Sequence, residues 1–135
     1  MSTSIIALIA FVAWQLLLTV LLATYRTSLV MSGQKQANAF KIDGSDVSAF
    51  GQRLTRARDN CHENLPAFAA LVLGASLAGQ SAVTDPLAMS VLIARIGQSV
   101  THVVSTSVRA VQIRFGFYSI QLAIMVWWAI LLLRG

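Results

Sequence analysis

The chain has 135 residues, of which 56% are hydrophobic and only 11% are charged, and its formal net charge is +5. This composition excludes an ordinary soluble domain, whose water-facing surface needs far more charge. The basic residues do not form a patch interleaved with aromatic residues, so the positive charge does not indicate nucleic-acid binding. The composition therefore predicts an all-α integral membrane protein.

Four apolar segments follow one another along the chain, and about 20 apolar residues are enough to cross a bilayer as a helix. They predict a single domain over residues 1–135 with spans over 4–26, 48–79, 86–109 and 115–133. The first segment is expected to remain on the mature protein, because it lacks the basic start and small-residue cleavage site of a signal peptide. The expected fold is a four-helix membrane bundle.

The connections between the spans differ in length. Residues 32–46 are rich in polar residues and glycine and predict the one substantial loop. Pro66 falls inside the second helix and predicts a kink there. The segment Gly79–Pro86 predicts a tight turn, with Pro86 at the first position of the third helix.

Loop charges predict the orientation in the membrane. The loops after spans one and three carry nearly all the arginines and lysines, whereas the opposite side carries Asp85 and Arg134. Under the positive-inside rule both basic loops face the cytoplasm, and both termini lie on the other side. In a bacterium the expected location is the inner membrane.

Polar residues inside the spans are the candidate functional residues, because they are costly in lipid unless they face the bundle interior or a cavity. In the second helix Arg56, Asn60 and Glu63 follow at steps of four and three residues and share one face. Their neighbours Arg58, Asp59 and His62 are predicted to project elsewhere. A second polar stripe is expected to reach the end of the third helix, and it comprises Arg95, Gln98, Ser99, His102, Thr106 and Arg109.

Arg95 lies deep in the third span and needs a partner. An ion pair with Glu63 is the simplest hypothesis, whether the pair belongs to a functional site or only sets the helix register. His102 could be a general base or a hydrogen-bonded packing residue, and Tyr118 could line a site or cap the bundle. Cys61 is more simply a packing residue than a nucleophile, and a lone cysteine predicts neither a disulfide nor a metal cluster.

Three arginines are expected at the converging cytoplasmic ends of the helices: Arg26, Arg56 and Arg109. They would offer charge-assisted hydrogen bonds to carboxylates. Glu63 could receive an ammonium group, and Asn60 could pair with an amide. The residues by themselves therefore indicate an anionic ligand at the cytoplasmic face of the membrane.

The stretch "RARDNCHENLP", from Arg56 to Pro66, resembles the signature of the MAPEG family, the membrane-associated proteins in eicosanoid and glutathione metabolism. That signature is an R-A-x-x-N-x-x-E run at the start of the second helix. The resemblance extends to Arg26 at the end of the first helix, Arg95 in the third, and "VRAVQ" with Arg109 at the end of the third.

The resemblance implies a homotrimer with glutathione, the co-substrate, bound between subunits near the cytoplasmic face. Arg26 and Arg56 would hold the glutathione carboxylates or order the loop, and Asn60 and Glu63 would bind its amide and amino groups. Arg109 would be the catalytic residue beside the thiol. His102 and Tyr118 are further candidates for the binding site, and Arg95 would be structural.

The function that the resemblance implies is a glutathione-dependent transferase or peroxidase, which acts on lipophilic electrophiles or lipid hydroperoxides that arrive from the bilayer. His102 and Gln98 stand where family members carry tyrosine or histidine, and Asp59 stands where some carry arginine. These differences favour an alternative, a non-catalytic accessory or assembly subunit of a larger membrane complex. A small drug transporter is disfavoured, because such proteins need an acid in the first helix.

Overall fold

The computed structural model describes all residues, 1–135, and contains four long helices and no strand. They are α1 (Thr3–Met31), α2 (Ala49–Leu77), α3 (Ser81–Val104) and α4 (Val108–Arg134). Helices α2 and α3 each contact all the others, whereas α1 and α4 lie on opposite sides of that central pair. The predicted all-α four-helix architecture is confirmed.

Local sequence signals explain most of the helix ends. Serines cap three helix N-termini, where each side-chain oxygen accepts a hydrogen bond from a backbone N–H: Ser2, Ser48 and Ser107. After α2, Gly79 has a φ of 70°, the left-handed conformation that glycine adopts without strain. Its N–H and that of Gln80 donate to carbonyls of the last turn at 3.1 and 2.7 Å, which closes α2 in a Schellman motif.

The predicted start and end of α3 and the predicted start of α4 are wrong. Helix α3 begins at Ser81, so Pro86 lies at its sixth position and removes only the one intrahelical bond that its own N–H would make. The same helix ends at Val104, because Ser105 is extended (φ −154°, ψ 152°) and Ser107 caps a new helix. Arg109 therefore lies in the first turn of α4 and not at the end of α3.

Helices α1, α3 and α4 are long and apolar enough to span a membrane. Helix α2 does not meet that criterion, because its first half carries five charged residues, namely Arg53, Arg56, Arg58, Asp59 and Glu63. Its second half, residues 64–77, carries none. The chain is thus a multi-pass membrane protein, with the charged half of α2 next to the 32–48 loop.

Aromatic packing holds three helices together in the core. The rings of Phe11 and Phe68 stack with centroids 5.2 Å apart, and the Phe68 and Trp128 rings lie 6.1 Å apart. All three side chains are at most 1% exposed. Burial of aromatic rings of this size is the largest single contribution that side chains make to a core.

Hydrogen bonds fasten both ends of the bundle. At one end the backbone N–H and the hydroxyl of Ser4 both donate to Asp85 Oδ1, at 2.8 and 2.6 Å, which joins the starts of α1 and α3. At the other end Arg53 Nε donates to the Val103 carbonyl at 2.7 Å, in the last turn of α3. In the 32–48 loop the Lys35 ammonium donates to Asp46 and holds the pKa of that carboxyl below its usual value. The bundle end that carries the polar helix segments is therefore well anchored.

Candidate functional site

An open cavity of about 500 Å³ lies between α2, α3 and α4, towards the end of the bundle where α2 begins and α3 ends. Its wall combines charged, amide and imidazole groups with three hydrophobic or aromatic residues of α4. The lining residues are Asn60, Glu63, Asn64, Gln98, His102, Val111, Arg114, Phe115 and Tyr118. Pockets of this size hold small organic ligands.

A second groove of about 270 Å³ continues from this cavity, since both are lined by Asn60, Glu63 and His102. Its remaining residues are Asp43, Arg56 and Asp59, and none of its lining is hydrophobic. Asp59 was predicted to project away from the Arg56 face, and that prediction is wrong. The two cavities form one polar surface that extends from the bundle to the 32–48 loop.

Asn60 is the centre of the site, and it is also the partner of Arg95. Its Oδ1 accepts hydrogen bonds from Arg95 Nη1 at 2.6 Å and from Gln98 Nε2 at 3.1 Å. The predicted ion pair between Glu63 and Arg95 does not form, because Glu63 is exposed and faces the cavity one turn further along α2.

Arg95 is fully buried, and its guanidinium contacts an aromatic ring in addition to the Asn60 amide. The guanidinium carbon lies 5.6 Å from the centroid of the Phe11 ring, within the range of a cation–π interaction. The contacts of this buried guanidinium are thus one amide oxygen and one ring face, without an acid, and its Nε and Nη2 make no hydrogen bond within the chain. This leaves the Glu63 carboxylate available to the cavity.

The other predicted residues fall into two groups. His102 and Tyr118 line the cavity, and Arg56 lines the adjoining groove. Arg26 lines neither, and its guanidinium instead lies 5.4 Å from the centroid of the Phe40 ring in the 32–48 loop. Within one chain, therefore, Arg26 contacts the loop and is not brought together with the other candidates.

Arg109 lies outside the cavity of its own chain. It is exposed and lines a separate groove of about 340 Å³ with apolar residues that include Val100, Val104 and Ile113. Arg114 follows five residues later, which turns it by about 140° around a helix of 3.6 residues per turn. That rotation places Arg114, and not Arg109, on the cavity wall.

The model of the MAPEG family matches residues 4–134, nearly the whole chain. The chain belongs to the MAPEG family. Comparisons with curated proteins and with solved structures found no match. Family membership supports a membrane protein of the glutathione and eicosanoid metabolism type.

Two polar cavity residues of this MAPEG protein, Arg114 and Asn64, were not predicted as site residues from the sequence, and neither were the apolar Val111 and Phe115. The signal for Arg114 is a stripe on α4 with steps of three, one and three residues: Val111, Arg114, Phe115 and Tyr118. This stripe can be recognised only if α4 begins at Val108, after the cap residue Ser107, whereas the sequence prediction assigned residues 109–114 to a loop and the end of α3. Arg114 lines the cavity wall, and its Nε has no hydrogen-bond partner within the chain.

Proposed function

We propose that this MAPEG protein is a glutathione-dependent transferase or peroxidase that acts on lipophilic electrophiles or lipid hydroperoxides. The observation that carries the proposal is the cavity between α2, α3 and α4. It places a guanidinium, a carboxylate and three amides beside the apolar side chains of Val111 and Phe115. One surface can therefore hold a polar peptide thiol next to a lipophilic substrate.

Glutathione carries two carboxylates, one ammonium group, two amides and a thiol, and Arg56, Arg114 and Glu63 offer charges opposite to its charged groups, while Asp43 and Asp59 line the groove beside Arg56. Arg56 and Arg114 offer charge-assisted hydrogen bonds to carboxylates. Glu63 can accept from the ammonium group, and Asn60 can bond an amide. His102 and Tyr118 complete the wall, and Arg26 would act indirectly, by ordering the loop through Phe40.

Thiol activation requires a cation beside the sulfur, because a guanidinium stabilises the thiolate, which is the nucleophile. Two arginines compete for this role. Arg114 lies in the cavity of its own chain. Arg109 faces away from it, so Arg109 would act on glutathione held by a neighbouring subunit of a homotrimer.

The chemistry needs no further redox group. With an electrophile, the thiolate forms a carbon–sulfur bond while the leaving group departs with its electron pair. With a hydroperoxide, the thiolate attacks the O–O bond to give an alcohol and a sulfenic acid, which a second glutathione converts to disulfide and water. In both cases the protein contributes proximity and stabilisation of the anionic sulfur.

The test is turnover of glutathione with a lipophilic aryl halide and with a lipid hydroperoxide, in purified wild type, Arg109→Ala and Arg114→Ala. The variant that lacks the thiol-activating cation should lose about a hundredfold in kcat/KM. Arg134→Ala, at the exposed far end of α4, is the matched control and should keep wild-type rates.

Wild type that neither turns over these substrates nor binds glutathione at millimolar concentration would refute the proposal. Wild type that binds glutathione without turnover would favour the accessory subunit of a larger membrane complex. The remaining outcome is loss of activity only in Arg109→Ala, with activity restored in trimers that mix Arg109→Ala subunits with subunits that keep Arg109 but have a disabled cavity. That outcome would show that the cation comes from the neighbouring subunit.

A further inference from the structure

A chain of side-chain hydrogen bonds crosses the bundle beside the cavity, from α3 to α2, back to α3 and on to α4. Arg95 Nη1 donates to Asn60 Oδ1, Gln98 Nε2 donates to the same oxygen, and Gln121 Nε2 donates to Gln98 Oε1 at 3.0 Å. We call these four side chains the amide relay. Three of them are almost fully buried, with exposed fractions of 0% for Arg95, 4% for Gln98 and 1% for Gln121.

Arg95 determines the direction of every bond in the amide relay. A guanidinium has only donors, so the atom of Asn60 that faces it must be the carbonyl oxygen. That oxygen can only accept, so Gln98 must turn its NH₂ group towards Asn60. The Gln98 oxygen is then directed at Gln121, which must donate in turn.

The opposite end of the amide relay is fixed independently. Gln121 Nε2 also donates to the backbone carbonyl of Phe117 at 3.0 Å, and a carbonyl can only accept. A donor-only group at one end and an acceptor-only group at the other therefore require the same orientation of all three amides. Reversal of any one of them would place two acceptors or two donors in contact.

This orientation determines what Asn60 presents to the cavity. Its Oδ1 is occupied by two buried donors, so its Nδ2 is left without a protein partner on the cavity side. One turn later Asn64 Nδ2 donates to the backbone carbonyl oxygen of Asn60 at 2.9 Å, which leaves Asn64 Oδ1 as an acceptor. The wall formed by α2 thus carries a fixed donor at Asn60 and a fixed acceptor at Asn64.

We infer that Arg95, Gln98 and Gln121 are positioning residues, which fix the Asn60 amide so that the cavity selects a ligand with a carbonyl or carboxylate oxygen opposite Asn60. Arg95 and Gln121 do not line the cavity and would not touch the ligand, whereas Gln98 positions Asn60 and also lines the cavity. That the ligand is glutathione rests on the proposed function, whereas the direction of the amide relay does not.

Amide-to-acid substitutions at Asn60 and Gln121 test the direction of the hydrogen bonds in the amide relay without any ligand. Asn60→Asp still offers acceptor oxygens to Arg95 and Gln98, so its thermal midpoint in detergent should stay within about 2 °C of wild type. Gln121→Glu places an ionised acceptor against the Phe117 carbonyl and the Gln98 oxygen, and should lower the midpoint by about 5 °C or more. Asn60→Leu and Gln121→Met are the controls of similar size, and Asn60→Leu should be destabilised because it leaves Arg95 unpaired.

Glutathione binding by Asn60→Asp then tests the role of the donor. The dissociation constant should rise at least about tenfold although the fold is retained, because an oxygen would face the oxygen of the ligand. Asn60→Asp as unstable as Asn60→Leu, or Gln121→Glu as stable as wild type, would overturn the direction of the relay. Wild-type affinity in a folded Asn60→Asp would overturn the selection of an oxygen acceptor, while failure of wild type to bind glutathione would refute only the proposed function.

Discussion

Replacement of Gly97 by alanine should push α3 and α4 apart next to the cavity. A Cβ atom at Gly97 would lie 2.7 Å from Phe117 Cζ and 3.0 and 3.1 Å from the two Cε atoms of the ring. Non-bonded carbon atoms prefer separations of about 3.5–4.0 Å, so the ring or the helix would have to move by about 1 Å. Phe117 precedes the cavity residue Tyr118, and its carbonyl accepts from Gln121, so the movement would reach the site.

Two opposing effects set the magnitude. Overpacking of this kind costs about 1–3 kcal/mol. Replacement of glycine by alanine inside a helix by itself raises the free energy of unfolding by about 0.5–1 kcal/mol. We therefore expect Gly97→Ala to lower the free energy of unfolding by about 0.5–2 kcal/mol, and the midpoint by about 2–8 °C at about 4 °C per kcal/mol.

The assay is thermal unfolding of the purified protein in detergent, with Gly74→Ala and Gly116→Ala as matched controls. A Cβ atom at either position would have no neighbour within 4 Å. Both controls should equal or exceed the wild-type midpoint, since only the helical preference of alanine acts there. Gly97→Ala as stable as these controls would refute the close contact between α3 and α4.

Three further predictions concern the core and the bundle end. Ser4→Ala removes the 2.6 Å bond to Asp85 and should cost about 1–2 kcal/mol, whereas Ser119→Ala should change stability little. Phe68→Ala, at the centre of the aromatic stack, should cost about 3–5 kcal/mol in chemical denaturation, and Leu73→Ala, on the exposed side of α2, far less. Cys61, the single cysteine, is fully buried, so a maleimide should label it only after denaturation in SDS, and rapid labelling of the native protein would contradict its position in the core.

The helical architecture and half of the site could be predicted from sequence because they rest on local patterns. Uncharged segments of bilayer length indicate the membrane helices without knowledge of their neighbours. The steps of four and three residues from Arg56 to Glu63 indicate one face of α2, and all three residues do lie on the joined cavities.

The end of α3 was harder to place, because the signals for helix and loop compete there. The polar stripe continues past Val104 with helical spacing, whereas "STS" at residues 105–107 stops one helix and caps the next. Misplacement of this boundary moved Arg109 to the wrong helix and hid Arg114, since five residues shift a side chain by about 140°.

The prediction of Glu63 as the partner of Arg95 was wrong for a different reason. Opposite charges favour an ion pair, so Glu63 was the obvious choice. The packing of α2 against α3 instead brings the Asn60 amide to 2.6 Å from the guanidinium. Contacts between helices of this kind depend on rotation and depth, which sequence spacing does not specify.

A glutathione titration of the purified protein, followed by ultraviolet absorbance of the thiolate, is the decisive measurement for the proposed function. We expect saturable binding with a thiolate signal at neutral pH, and loss of that signal in the variant that lacks the activating arginine. Absence of both binding and thiolate absorbance at millimolar glutathione would contradict the proposed function.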